Sequence, residues 1–108
     1  MLYTIYLETR ALAFCPISVE RTRDRKRLAE LKKMAHDRAV EFIKQADPDE
    51  IRGKHILYYY EEPERPYMGR KNGNVEVRVY LTPCVLSDEN FYAYVEKWKP
   101  DYVGAIHK

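Results

Sequence analysis

The chain has 108 residues, 45% of them hydrophobic and 33% charged, with a formal net charge of +2. That length and those proportions fit one folded domain over residues 1–108 rather than a disordered chain, while near-neutrality makes any case for nucleic acid depend on where the charges sit. No apolar run approaches the roughly 18 residues of a membrane span, and the opening MLYTIYLE lacks a basic leader, so no membrane partner and a cytoplasmic setting are expected.

Amide side chains are confined to Gln45, Asn72, Asn74 and Asn90, whereas Arg, Lys, Glu and Tyr abound. Depletion of thermolabile amides points to a thermophilic prokaryote or one of its viruses.

Residues 2–10 alternate, with Tyr3, Ile5 and Leu7 on one side and Thr4, Tyr6, Glu8 and Arg10 on the other. That period of two predicts a strand with one buried face. The phase shift after it predicts a bulge near Thr9–Ala11, and Cys15-Pro16 closes the strand. A helix is predicted from about Thr22 to Ala46, capped by Ser18 or Thr22. Its stripe is Leu28, Leu31, Ala35, Ala39, Phe42 and Ala46, widened by Met34 and Ile43. Pro48 ends it.

A second strand, 55–61, is too aromatic for its inward parity to be read. Residues 62–74 carry Pro63, Pro66 and the reversal signal Asn72-Gly73, which predicts a protruding hairpin tip with Arg65, Tyr67, Arg70 and Lys71. Val75, Val77, Val79 and Leu81 alternate with Glu76, Arg78, Tyr80 and Thr82 in a third strand ended by Pro83-Cys84. Ser87 caps a second helix whose stripe is Phe91, Tyr94, Val95 and Trp98; Lys97, Lys99 and Pro100 close it. Residues 102–106 make a last strand.

Strand, helix, strand, strand, helix, strand predicts an α+β fold, a two-layer ferredoxin-like βαββαβ sandwich with sheet order 4-1-3-2 and both helices on one face. Its parallel first and third strands would bring Cys15 and Cys84 to one sheet edge. A disulfide between them would close a loop of about 70 residues and contribute about 4 kcal/mol.

The opposite sheet face would display Tyr6, Arg78 and Tyr80, side chains suited to stacking on single-stranded bases. This layout resembles the sheet of RNA-recognition motifs, although that family's glycine-aromatic signature is absent from residues 74–80. Arg23, Arg25, Lys26 and Arg27 at the helix start, with Arg70 and Lys71 on the tip, would touch phosphates. Binding of RNA or DNA without catalysis is therefore the first functional expectation. An interaction module that forms a homodimer through the tyrosine-rich face is the second.

The acidic residue near the end of strand one, followed by a basic helix, resembles the small ferredoxin-fold nucleases of CRISPR adaptation. That resemblance implies a third reading, a metal-dependent nuclease using Glu8. His36, His55 and His107 show no metal-ligand spacing, Gly69 and Gly73 form no phosphate loop, and no cofactor is expected.

Overall fold

The computed structural model describes residues 1–8, 18–63, 74–98 and 102–108, and within these not the side chains of Pro63, Lys97 and Trp98. The bend at Thr9–Ala11, Arg10, Cys15 and the hairpin tip with Arg65, Tyr67, Arg70 and Lys71 lie outside the described residues, as do the Asn72-Gly73 reversal, Lys99 and Pro100.

The first strand, β1 (Tyr3–Leu7), buries Tyr3 and Ile5 as its alternation requires. It ends sooner than expected, at Glu8, whose φ of 54° is a left-handed conformation that few non-glycine residues adopt. A strand absent from the sequence reading follows: β2 (Ser18–Thr22), antiparallel to β1.

Helix α1 (Arg25–Gln45) is capped by neither Ser18 nor Thr22. Asp24 is the cap, its Oδ1 accepting the Lys26 N–H at 2.9 Å, while the Thr22 hydroxyl accepts from Asp24 N–H at 3.0 Å. The expected stripe is buried through Leu28, Leu31, Ala35 and Ala39. Asp47 then caps a short helix, α2 (Pro48–Ile51), with proline in its first turn.

Strands β3 (His55–Pro63) and β4 (Val75–Leu86) pair antiparallel. Ser87 caps α3 (Asp88–Trp98) as expected, its Oγ accepting the Asn90 N–H at 3.2 Å, and β5 (Tyr102–His107) completes the chain.

The result is a mixed five-stranded sheet in the order β2-β1-β4-β3-β5. The expected parallel neighbours, β1 and β4, are present, with Ile5 opposite Val77. The expected order 4-1-3-2 is not. The last strand pairs with β3 because the free edge of β1, where it was expected, is taken by β2.

α1 and α2 lie on one side, over Ile5, Ile56, Tyr58, Tyr59, Val77 and Val79. The alternate residues Leu57, Tyr60, Tyr80, Cys84 and Leu86 form a second cluster with Phe91 and Tyr94 of α3. In β5 the division is plain: Ile106 packs on the first cluster, Val103 and Ala105 on the second. Side chains alternate across a strand, so α3 meets the face turned away from α1 and closes one end of it.

The expected disulfide is not formed. Cys84 is a free, buried thiol set among the aromatic side chains of the second cluster. β4 does not stop at Pro83 but runs on to Leu86, so Cys84 lies inside the strand, well past Val79, the partner of the last β1 residue. Burial pushes its pKa up to about 12. The folded protein should therefore leave Cys84 unmodified by iodoacetamide near pH 8 and yield it on denaturation, as peptide mass spectrometry will read.

Between Leu57 and Tyr59 the register of β3 shifts against both neighbours. Tyr58 and Tyr59 consequently face the same way, and the Tyr58 ring lies over Gly104. A Cβ built on Gly104 would stand 2.8 Å from the ring's Cε2. Gly104→Ala is expected to destabilise the fold by about 1–3 kcal/mol, measured by urea unfolding, because Tyr58 is itself buried and has little room to yield.

Candidate nucleic-acid interface

The first turns of α1 overhang the sheet where β3 and β5 run side by side. Here Arg25, Leu28, Ala29 and Lys32 from the helix meet Tyr59 and Glu61 of β3 and Tyr102 of β5 around an open cavity of about 200 Å³. Helical spacing puts Arg25, Leu28, Ala29 and Lys32 on one side. The β3 shift at Tyr58 turns Tyr59 and Glu61 to face them, with Tyr102 opposite Glu61.

Arg25 Nη1 donates to the Tyr3 hydroxyl at 3.2 Å and lies 3.6 Å from Glu61 Oε1, yet its side chain is 70% exposed. Lys32 Nζ donates to the Tyr102 hydroxyl and sits 3.6 Å from the centroid of that ring, a cation–π contact. Tyr102 is 43% exposed at the mouth, and Tyr59, 1% exposed, lies on the floor. Glu61 is 8% exposed. Two cations against one carboxylate leave the pocket net positive, suited to a phosphate with an aromatic wall beside it.

The other residues singled out from the sequence separate. Arg23 and Lys26 are exposed at the helix start. Arg27 is taken: its Nε and Nη2 donate to the two Glu20 oxygens at 2.8 and 3.0 Å, and Nη1 reaches Glu30 at 3.4 Å. That bidentate pairing holds the Glu20 carboxyl below its ordinary range. It also pins β2 to α1, which gives the unforeseen strand its purpose. Arg70 and Lys71 lie outside the described residues.

On the face away from α1, strand registers set Arg21, Thr4, Glu76 and Glu62 in one row and Val19, Tyr6, Arg78 and Tyr60 in the next. The Arg78 guanidinium lies between two rings, 4.9 Å from the Tyr6 centroid and 5.8 Å from that of Tyr60. Its Nε is buried without a hydrogen-bond partner among the described residues, and the ring faces stand in for one.

Tyr80 is no platform. It is 1% exposed, its hydroxyl 3.1 Å from that of Tyr94 and its ring beside Tyr60, because α3 covers that end of the face. Burial pushes the phenols of Tyr60, Tyr80 and Tyr94 above their ordinary value. The unfolded chain releases these protons near pH about 10, so above that pH the fold holds protons the unfolded chain has lost and stability falls. In an ultraviolet titration these tyrosines should ionise only as the circular dichroism collapses.

The buried His55 pairs with the exposed Asp88, Nε2–H donating to the carboxylate, and its ring stacks on Phe91 at 4.3 Å. A His–Asp pair invites a catalytic reading, but Nδ1 is sealed from solvent and from any substrate. The pair ties the start of α3 to β3. Glu8 is exposed, and among the described residues no group of three or more His, Cys, Asp or Glu could hold a metal ion. No helix among them is long and apolar enough to cross a membrane.

No family model, curated protein or solved structure matches the chain. Function rests on the geometry alone.

Lys32 is legible in the sequence as a cation a turn beyond the basic helix start, within reach of phosphate; two other features of the pocket are not. Glu61 carried a faint signal as the acid that closes the apolar run 56–60. Tyr102 carried none, because its place depends on β5 pairing with β3.

Proposed function

We propose that the protein binds single-stranded nucleic acid through the pocket under α1. The observation that carries this reading is the convergence of Arg25 and Lys32 on one cavity walled by the exposed ring of Tyr102. Lys32 and Arg25 take the backbone phosphates, and the exposed Arg23 and Lys26 extend the cationic track along the helix start. The cavity is large enough for one base or one phosphate group, so a strand would enter it one nucleotide at a time.

The test is fluorescence anisotropy with short RNA and DNA oligonucleotides, single- and double-stranded, at two salt concentrations. Binding to single strands that weakens with salt supports the reading; no binding to any of them at low salt ends it.

A second reading, homodimerisation through the part of the far face that no helix among the described residues covers, has its own support. Val19 is 47% exposed beside the Tyr6–Arg78 stack, and the adjoining row carries Arg21 at one end and Glu62 at the other. A two-fold copy would set those opposite charges against each other. Light scattering on a size-exclusion column distinguishes this from a monomer.

A further inference from the structure

We infer that the pocket under α1 selects guanine, with the Glu61 carboxylate reading the base edge; this rests on the single-strand reading above. Glu61 is anomalous for a carboxylate. Its side chain is only 10% exposed, and its ion-pair partner, Arg25 Nη1, stands 3.6 Å away, beyond hydrogen-bond distance. A carboxylate removed from water ordinarily gathers several donors. Here the acceptor lines an open cavity instead, between the helix wall of Leu28 and Ala29 and the phenol rings of Tyr59 and Tyr102.

What would satisfy it is a planar group with two N–H donors side by side. Guanine offers that pair, N1–H and the N2 amino group, on its Watson–Crick edge, spaced to meet the two oxygens of one carboxylate. Adenine sets a single amino donor beside the bare N1 acceptor, and cytosine does the same with N4 and N3. Thymine and uracil flank their one N–H with two carbonyl oxygens. Each of these puts an oxygen or nitrogen lone pair against the carboxylate, which costs binding. Lys32, at the mouth, remains for the phosphate that accompanies the base.

The experiment compares thymidine oligonucleotides that differ at one central position: guanine, hypoxanthine, adenine or thymine. Guanine is expected to bind about tenfold more tightly than adenine, with hypoxanthine, which keeps N1–H and lacks the amino group, between them. In Glu61→Gln the ratio of guanine to adenine affinity should fall below about threefold, since an amide supplies one acceptor and one donor; the ratio cancels the change in net charge, which every strand feels alike. Equal affinity for guanine and adenine in the native protein overturns the inference and leaves the single-strand reading standing. A preference that survives Glu61→Gln also overturns it. Absence of binding to every strand removes both. The hypoxanthine series needs no variant, and circular dichroism verifies that Glu61→Gln is folded.

Discussion

Replacing Arg25 and Lys32 together by alanine is expected to weaken binding to a single-stranded oligonucleotide by about thirtyfold, at about 1 kcal/mol for each cation lost. The slope of log affinity against log salt should flatten by about 1.4, at about 0.7 for each phosphate contact removed from a single strand. Arg27→Ala should change neither quantity appreciably, because its guanidinium is already held by Glu20 and Glu30. Both numbers come from one titration series measured at several salt concentrations. Arg25 also faces the buried Glu61, so Arg25→Lys, which keeps a charge there, separates lost binding from lost stability.

The second large effect is on stability, at Tyr80. Tyr80→Ala is expected to cost about 3–5 kcal/mol, as for other buried aromatic side chains cut to alanine, which is a large part of the 5–15 kcal/mol typical of a domain. Tyr80→Phe should cost about 1 kcal/mol, for the hydroxyl contact with Tyr94 alone. Urea denaturation measures both. Nucleic-acid affinity of Tyr80→Phe should match that of the native protein. A platform role would have made Tyr80→Ala a binding defect in a stable fold; a core role makes it an unfolding defect.

The difference between those roles shows which parts of the chain are legible in its order of residues. The stripe of α1 is readable because four residues at helical spacing, Leu28, Leu31, Ala35 and Ala39, are all small or apolar and all buried. The parallel pairing of β1 with β4 follows from two strands with clear alternation joined by a long crossover. Residues 18–22 give no such signal: Val19 is their one strongly apolar side chain, and it is exposed. β2 is held by its ladder with β1 and by Glu20 gripping Arg27, a contact between residues seven apart that no periodicity announces.

The three tyrosines of β3 resist reading for a different reason. A strand without irregularity would send Tyr58 and Tyr60 one way and Tyr59 the other. The shift at Tyr58 puts Tyr58 and Tyr59 on the α1 side and Tyr60 on the other. That same shift aims Glu61 at Arg25, so the pocket and the bulge have one origin. The far face was expected to stay open along its length. Among the described residues, Phe91 and Tyr94 of α3 seal the end that holds Tyr80 and leave the end with Tyr6 and Arg78 uncovered by a helix.

The most direct test of the pocket is a heteronuclear NMR titration of the native protein with a short single-stranded oligonucleotide. The account requires the largest amide shifts at Arg25, Leu28, Lys32, Glu61 and Tyr102. Shifts gathered at Val19, Arg21, Tyr6 and Glu76, with the α1 residues unmoved, would contradict it.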